Sequence, residues 1–283
     1  MAAICLVNSY NYSEYLNECL NSVLSQTLPF DRILVVDDGS TDNSPDIIRG
    51  FAERHPSVEA IYKTNGGQLS AFNAVRDLIC DEDQVFLMDS DDYYPNDYHE
   101  LIRIKLSSLW DISFCEMKAF TDIQELKTSK INDEPVHCIS KSSAMIRKRF
   151  TWLGASTSAI SISGRVYREI LPYPYEEDFR IRADDVFVYA SSIIGAKKFF
   201  IPSLTIGWRK HQSNNTLTYS GKDRENEERM QAVKKLFQHY VKKCSLPLHS
   251  TIFEMLEELN GLSPEEKKYA KFRLGFLFNT LYI

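Results

Sequence analysis

Three carboxylates lie within four residues at Asp89-Ser90-Asp91-Asp92, directly after an apolar run that ends at Leu87 and Met88. Carboxylates this close repel one another unless a cation neutralises them. Oxygen ligands at the end of a buried strand suit Mg²⁺ or Mn²⁺, which bind through one or two carboxylates together with substrate phosphates. The cluster therefore predicts a divalent metal site. The alternative interpretation is a solvated acidic turn before a helix.

Three further clusters of short polar side chains also follow short apolar runs. They are Asn8-Ser9-Tyr10-Asn11, Asp37-Asp38-Gly39-Ser40-Thr41-Asp42 and Asn65-Gly66-Gly67-Gln68. The Gly66-Gly67 pair suits a ligand that lies on the backbone, because glycine has no side chain to obstruct it. The second cluster, taken alone, is equally typical of a loop that caps a helix. The four clusters together predict a binding site.

An acidic pair, Asp184-Asp185, opens an apolar helical segment in the second half of the chain. A carboxylate beside a reacting hydroxyl can take its proton, which typically contributes roughly 10²–10⁴-fold in rate. Burial and a neighbouring carboxylate raise the pKa of such a base. The alternative is an ordinary helix N-terminus, where Asp is a favoured residue.

The last cluster is Trp208-Arg209-Lys210-His211, which follows another predicted strand. Two cations and a histidine are suited to face a diphosphate group. An isolated histidine is more often structural, but the adjacent cations favour a functional interpretation.

Short strands and helices alternate along residues 1–115, and they position the first four clusters. Apolar β-rich runs predict strands, and apolar side chains at helical spacing predict helices. Such alternation predicts an α/β fold with a parallel sheet, whose ligands bind at the carboxyl ends of the strands. The predicted strands are Ala2–Val7, Arg32–Val36, Val58–Tyr62, Gln84–Met88 and Ile112–Cys115; the predicted helices are Ser13–Gln26, one that begins at Ser44-Pro45 with Ser44 as its cap, Leu69–Ile79 and Asn96–Leu109.

Beyond residue 115 the pattern is less regular. The spacing of Met230, Val233, Phe237 and Tyr240 predicts a helix after residue 222, and Ser263-Pro264-Glu265-Glu266 predicts another helix start. We therefore expect a helical C-terminal extension. The elements predicted before it are strands at Ser158–Ser163, Phe199–Ile201 and Leu204–Trp208 and helices at Arg165–Leu171 and Val186–Ile194.

The composition restricts the class of function. The chain of 283 residues has 33 Lys and Arg against 39 Asp and Glu, a net charge of −6 that argues against a nucleic-acid partner. Its six cysteines form no Cys-x-x-Cys pair, which argues against a zinc ribbon and is typical of buried thiols in a reducing compartment. We find no leader sequence and no run of about 18 apolar residues, so we expect a cytoplasmic protein.

Taken together, the four N-terminal clusters resemble, in order and spacing, those of the family 2 glycosyltransferases with a GT-A fold. The resemblance is clear over about residues 2–100, fair to about residue 215 and absent beyond it. It implies a Rossmann-like, mostly parallel sheet flanked by helices. Residues 1–221 would form the catalytic domain, with a nucleotide-binding half at 1–115 and an acceptor-binding half at 116–221, and residues 222–283 would form the helical extension.

The resemblance also implies a role for each matching position. Asp38 would bind the nucleotide base, Asp185 would be the general base, and Asp184 replaces the glutamate usual in the family. Phe72 stands where the family often has arginine, which puts that arginine's contact with the donor in doubt. The nucleotide-binding residues would be Asn8, Tyr10, Asn11, Asp38, Asn65, Gly66, Gln68, Asp89 and Ser90, with Arg209 and Lys210 on the diphosphate; Asp91, Asp92 and His211 would bind Mn²⁺ or Mg²⁺.

The implied activity is metal-dependent, inverting transfer of a sugar from a nucleotide-diphosphate sugar to a hydroxyl group. UDP is the first candidate nucleotide, with dTDP and GDP open, and the acceptor would be a glycan or a lipid-linked acceptor in cell-surface polysaccharide synthesis. The C-terminal extension would pack on the catalytic domain, form a homo-oligomer contact or rest on the inner membrane face.

Three alternative functions share some of these features. A nucleotidyltransferase would carry a glycine-rich basic loop where Asn8–Asn11 stands. A haloacid-dehalogenase phosphatase would carry its Asp-x-Asp after the first strand, whereas Asp89–Asp91 follows the fourth, and Tyr93 replaces its Thr or Val. A catalytically silent sugar-binding or scaffold protein can be distinguished only by assay.

Overall fold

The computed structural model describes residues 1–106, 110–121, 134–139, 142–211, 223–261 and 264. Within these residues eight strands form one sheet in the order β3-β2-β1-β4-β7-β5-β8-β6. The strands are β1 (Ala3–Ser9), β2 (Arg32–Asp37), β3 (Val58–Tyr62), β4 (Gln84–Asp89), β5 (Ile112–Phe120), β6 (His137–Ile139), β7 (Ile160–Ser163) and β8 (Lys198–Arg209).

The sheet is mostly parallel, as the sequence predicts. The first four strands pair with one another in parallel, and β5 is parallel to β8. The antiparallel pairings are those of β7 with β4 and β5, and of β6 with β8. The helices of the described residues are α1 (Ser13–Leu24), α2 (Ser44–Arg54), α3 (Gln68–Ala74), α4 (Tyr98–Lys105), α5 (Ser143–Arg149), α6 (Gly164–Ile170), α7 (Ala183–Ile193), α8 (Asp223–Lys243) and α9 (Ile252–Asn260).

Strand β1 shows why these segments adopt this fold. Residues Ile4–Val7 are fully buried, as a continuous apolar run in a sheet covered on both faces should be. In α1, by contrast, apolar residues recur at helical spacing, and Leu16, Cys19, Leu20 and Val23 bury one face of the helix. The two periodicities therefore separate strand from helix correctly.

The start of α2 differs from the prediction in one detail. Ser44 is not the capping residue, because Asn43 occupies the cap position and Ser44 is already the first residue of the helix. The carboxylate of Asp42 instead accepts the backbone N–H groups of Ser13 and Ser44, each at 2.9 Å. One side chain thus binds the first turns of both α1 and α2.

The second half of the sheet also departs from the prediction. The segments Phe199–Ile201 and Leu204–Trp208 belong to the single strand β8, in which the pairing register shifts between Ile201 and Thr205. Pro202 lies in the shifted segment and has no N–H to donate to the ladder, which explains why the sequence suggests a break there. Strand β5 extends five residues beyond its predicted end at Cys115, to Phe120.

The described part of the C-terminal extension packs against the rest of the chain. The buried side chains of α8 include Phe237, whose ring lies 5.4 Å from that of Tyr189 in α7 and 4.7 Å from that of Phe150. Glu258 of α9 accepts the backbone N–H groups of Ala144 and Met145 at the start of α5, at 2.9 and 3.0 Å. Met230, by contrast, is 38% exposed. The predicted helix start at Ser263 lies outside the described residues, apart from Pro264.

None of the described helices is long and apolar enough to cross a membrane.

Candidate functional site

A cavity of about 800 Å³, here called the strand-end cavity, opens where the parallel strands β1, β2 and β4 end. The sheet register brings its walls together, because Asn8 pairs with Asp89 and Ser9 with Asp37. Its lining includes most of the predicted nucleotide- and metal-binding residues: Asn8, Tyr10, Asn11, Asp38, Asn65, Gln68, Asp89, Ser90, Asp91 and Asp92, together with Asp184. Gly66, Asp185, Arg209, Lys210 and His211 do not line it.

The carboxylate of Asp89 lies at the centre of this arrangement. It accepts hydrogen bonds from the side-chain amides of Asn8 at 2.6 Å and Gln68 at 2.8 Å. Burial, and then the charge of Asp91, raises the pKa of Asp89 to about 7. A cation that came close to the Asp89 carboxyl group would favour its ionised form.

Asp91 lies next to the predicted histidine. Its Oδ2 atom is 2.9 Å from Nε2 of His211, and the His211 ring stacks on Tyr15 with centroids 4.4 Å apart. Tyr12 contacts the same ring edge-on at 5.5 Å. Two residues of α1 and its preceding loop thus hold the imidazole against the carboxylate.

Asp92 has a more enclosed position. Its carboxylate accepts the hydroxyl of Ser158 at 2.6 Å and the backbone N–H of Arg209 at 3.1 Å. Burial, and then the charges of Asp91 and Asp89, raises the pKa of Asp92 well above its ordinary value. Within the described residues, no group of three or more His, Cys, Asp or Glu side chains is arranged to hold a metal ion by itself.

Asp38 organises the glycine-containing loop. Its carboxylate pairs with Nζ of Lys63 at 2.6 Å and accepts the backbone N–H groups of Gly66 at 3.0 Å and Gly67 at 2.7 Å. Asn65 adds a side-chain amide at 3.1 Å. Asp38 therefore fixes the shape of the loop at the cavity wall, and its predicted contact with a nucleotide base stays a prediction.

The loop after β1 is joined to the loop after β2. Asn11 has a left-handed backbone (φ 56°), and its side-chain oxygen accepts the backbone N–H of Thr41 at 2.7 Å. Its own N–H donates to the hydroxyl of Ser40 at 2.9 Å. The side chain of Tyr10 projects from this loop and is 46% exposed. The rim of the cavity is thus ordered, with one accessible aromatic ring.

Asp184 and Asp185 are adjacent in α7 but have different surroundings. Asp184 lines the strand-end cavity, and burial, followed by the charge of Asp185, raises its pKa to about 7. Asp185 is fully buried and forms a bidentate ion pair with Arg229 of α8, with both contacts at 2.8 Å. The sequence predicts a raised pKa for Asp185, the expected general base, whereas the carboxylate whose pKa burial and the neighbouring acid raise is that of Asp184.

Asp185 lines a second cavity of about 600 Å³, here called the helix-side cavity. Its other walls come from residues 177–182 and from α8, including Arg229 and Lys235. Arg180, Ile181 and Arg182 line both cavities. This short segment is therefore the common wall between the two cavities.

Arg209 and Lys210 do not face the strand-end cavity as predicted for diphosphate ligands. The Arg209 guanidinium donates to the backbone oxygen of Asp91 at 3.0 Å, pairs with Glu18 and lies over the ring of Phe120 at 4.6 Å. These contacts bury it beneath the acidic turn. Lys210 is exposed, with its Nζ 5.8 Å from the Trp208 ring centroid. A diphosphate contact by either residue stays a prediction.

Several residues that shape the site are absent from the sequence-based prediction. Arg180 and Arg182 supply the cations that line the strand-end cavity, and Lys63 binds Asp38. A signal existed for the two arginines, because they lie four and two residues before Asp184, and for Lys63, which directly follows β3. Arg229 gave no signal, since it lies in a stretch of mixed charge that is typical of a solvated helix.

Comparisons with known proteins agree with this geometry. Residues 5–107 match the model of the family described as glycosyl transferase family 2. An uncharacterized glycosyltransferase of Nostoc sp. is 27% identical over 241 residues, which cover 83% of this chain and 73% of that protein.

Two solved structures share the fold. Staphylococcus aureus TarS 1–349 in complex with UDP-GlcNAc has a TM-score of 0.58 and 17% identity, over 98% of this chain and 72% of that one. A mannosyltransferase from Pyrobaculum calidifontis in complex with GDP-Man and Mn²⁺ has a TM-score of 0.59 and 17% identity. The match covers 97% of this chain and 74% of that one. These similarities confirm the expected GT-A fold.

Proposed function

We propose how this chain acts as a glycosyltransferase, given that its residues 5–107 belong to glycosyl transferase family 2. It transfers a sugar, with inversion, from a nucleoside-diphosphate sugar to a hydroxyl group. That hydroxyl belongs to a glycan or a lipid-linked acceptor in cell-surface polysaccharide synthesis. A UDP-sugar is the first donor to consider, because the similar TarS structure holds UDP-GlcNAc. A GDP-sugar is the second, because the similar mannosyltransferase structure holds GDP-Man.

The observation that carries the proposal is the strand-end cavity and its charge. Its volume of about 800 Å³ suits a nucleotide sugar, and its walls combine buried carboxylates with the guanidinium groups of Arg180 and Arg182. Ser9 and Ser90 also line it, and their buried hydroxyls find no hydrogen-bond partner within the described residues.

The acidic turn fits a divalent cation. Asp91 and His211, 2.9 Å apart, offer one oxygen and one nitrogen ligand, and the charge of Asp91 adds to burial in raising the pKa of Asp89. We propose that Asp91 and His211 bind Mn²⁺ or Mg²⁺, with Asp92 beside them, and that donor phosphates complete the ligand set. Such an ion, when bound, stabilises the negative charge that develops on the departing diphosphate.

The acceptor must approach from the side opposite the diphosphate, because inversion needs in-line attack. We propose that the helix-side cavity receives it, since that cavity meets the strand-end cavity at residues 180–182, which line both. The acidic pair at the start of α7 reaches both cavities, with Asp184 on the donor side and Asp185 on the other. One carboxylate of this pair takes the proton of the acceptor hydroxyl, and Asp185 remains the predicted general base.

Thermal-shift measurements with UDP, dTDP, GDP and CDP, each with and without Mn²⁺, test the proposal. A ligand at about 100 times its Kd stabilises by about 2.7 kcal/mol, which corresponds to roughly 5–10 °C at about 2–4 °C per kcal/mol. We expect a metal-dependent shift with one nucleoside diphosphate. Incubation of the protein with the sugar donors of that nucleotide should then release the nucleoside diphosphate.

The variant Asp91→Asn should lose the metal-dependent part of the shift. Asp46→Asn is the matched control, because Asp46 is exposed on α2 and forms only a surface ion pair with Arg49. A folded wild-type protein that shows no shift with any nucleotide would favour the catalytically silent scaffold instead.

A further inference from the structure

The ion pair between Asp185 and Arg229 joins the candidate catalytic helix to the C-terminal extension. Nε and Nη2 of Arg229 donate to the two carboxylate oxygens of Asp185, each at 2.8 Å. Nε of Arg182 lies 3.4 Å from the same carboxylate. Since the Asp185 side chain has no exposed surface, the geometry of these two cations decides its position and its electrostatic environment.

Arg229 is itself held firmly. Its side chain is 28% exposed, and the following turns of α8 bury Val233, Leu236 and Phe237 in the core. A planar guanidinium that binds a carboxylate through two parallel hydrogen bonds fixes both the position and the rotation of that carboxylate. The apolar face of α8 thus anchors the cation that orients Asp185.

The location of the pair gives this orientation a functional meaning. Asp185 and Arg229 line the helix-side cavity together, whereas Asp184 lines the strand-end cavity. The hydrogen bonds to Asp185 also raise the pKa of Arg229, so the guanidinium remains charged throughout the neutral pH range. The pair therefore holds a carboxylate in a fixed position directly behind the wall where an acceptor would enter.

We propose that Arg229 is a positioning residue of the active site, and that α8 is in this way a functional part of the catalytic apparatus rather than an appendage. Arg229 acts through Asp185: it holds the carboxylate in the orientation from which the acidic pair can meet an acceptor hydroxyl. This inference rests on the proposed transferase function and extends it to the C-terminal extension.

Four variants test the inference. Arg229→Ala removes both hydrogen bonds, Arg229→Gln preserves most of the side-chain length without the charge, and Arg229→Lys restores the charge without the bidentate geometry. Lys234→Ala is the matched control, because Lys234 is an exposed cation of the same helix and does not line either cavity. The Arg229→Gln variant keeps the test available if Arg229→Ala does not fold.

The assay is release of nucleoside diphosphate from the donor that wild-type protein turns over, with water as the acceptor, at a temperature well below every variant's Tm. We expect kcat to fall at least about tenfold in Arg229→Ala and Arg229→Gln, to recover partly in Arg229→Lys and to stay at the wild-type level in Lys234→Ala. The Kd for UDP with Mn²⁺ should change less than about twofold in all four variants, because Arg229 does not line the strand-end cavity.

Different outcomes contradict the proposed function and the positioning role of Arg229. Wild-type protein that turns over no nucleotide sugar contradicts the proposed function. Active wild-type protein whose Arg229→Ala and Arg229→Gln variants retain the kcat of Lys234→Ala, even with a lower Tm, overturns the positioning role and leaves Arg229 as a structural contact. A parallel loss of UDP affinity would also overturn it, because the effect would then not act through Asp185.

Discussion

Gly67 and Arg180 are so close that a β-carbon on residue 67 would lie 2.4 Å from the Cα atom of Arg180. Two hydrogen bonds of the next residue, Gln68, also join these segments. The N–H of Gln68 donates to the backbone oxygen of Arg180 at 2.9 Å, and the side-chain oxygen of Gln68 accepts the N–H of Ala183 at 2.8 Å. The loop after β3 and the segment before α7 thereby close the strand-end cavity from two distant parts of the chain.

Gly67→Ala should therefore destabilise the protein more than a left-handed backbone alone explains. Gly67 has φ +90° and ψ 173°, a backbone region that glycine alone occupies readily and that costs an L-residue about 1–3 kcal/mol. The collision with backbone atoms of Arg180 adds about 1–3 kcal/mol. Gly195→Ala is the matched control, because Gly195 has φ +81° but a β-carbon there would meet no atom within 4 Å. Urea unfolding of both variants measures the difference. Equal losses of unfolding free energy would mean that the Arg180 contact yields without cost.

The alternation of strands and helices, the mostly parallel sheet and the location of the cavity could be predicted from the sequence. Four polar clusters each follow a buried apolar run, and parallel strands bring their carboxyl ends to one edge of the sheet. The roles of individual residues within the clusters could not be predicted in the same way. Gly67 illustrates this, because the sequence suggested space for a ligand, whereas the backbone of Arg180 occupies the space beside its missing side chain.

Partners from distant segments explain most of the remaining differences. Arg209 was expected at a diphosphate, but Glu18 and the carbonyl of Asp91 bind its guanidinium, and neither contact has a local sequence signal. Arg229 reaches Asp185 across 44 residues of chain, from a helix whose charge pattern resembles a solvated surface. The local spacing of apolar residues identifies a helix or strand and its buried face. Long-range polar pairs such as these depend on how the helices and strands pack together.

Asp42→Ala should destabilise the N-terminal half by about 1–3 kcal/mol, because the substitution leaves the N–H groups of Ser13 and Ser44 without their acceptor at the starts of α1 and α2. Asp46→Ala, which removes an exposed ion pair with Arg49, should cost less than about 1 kcal/mol. Chemical denaturation of the two variants at pH 7 makes the comparison. The assignment of Asp42 as the shared cap is wrong if the two variants lose the same free energy.

His211→Phe should weaken Mn²⁺ binding in the presence of UDP at least roughly tenfold, or about 1.4 kcal/mol. Phenylalanine keeps the ring contacts with Tyr15 and Tyr12 but has no ring nitrogen beside Asp91. The Tm without metal should therefore stay close to that of the wild type, whereas His211→Ala should lower both the affinity and the Tm. Electron paramagnetic resonance of free Mn²⁺ measures the affinity directly. Unchanged Mn²⁺ affinity in His211→Phe would remove His211 from the proposed ligand set.

The raised pKa of Asp184 predicts how the stability of the protein depends on pH. Burial and the charges of Asp185 and Asp89, partly offset by Arg182, raise this pKa from 3.8 to about 7, so the folded protein binds a proton that the unfolded chain releases between these values. The corresponding stabilisation is complete below about pH 4 and is lost as the pH rises through about 7.

Asp184→Asn carries a neutral side chain of the same shape and does not undergo this loss. Between pH 5 and pH 8 its unfolding free energy should rise relative to that of the wild type by about 2–3 kcal/mol, at about 1.4 kcal/mol per pKa unit. Urea unfolding of both proteins across this range gives the difference directly, and titrations shared by the two proteins largely cancel in it. Asp46→Asn, at an exposed site on α2, should instead follow the wild type in parallel. A parallel curve for Asp184→Asn would mean that Asp184 is already ionised at pH 5, and that the strand-end cavity holds enough positive charge to keep it so.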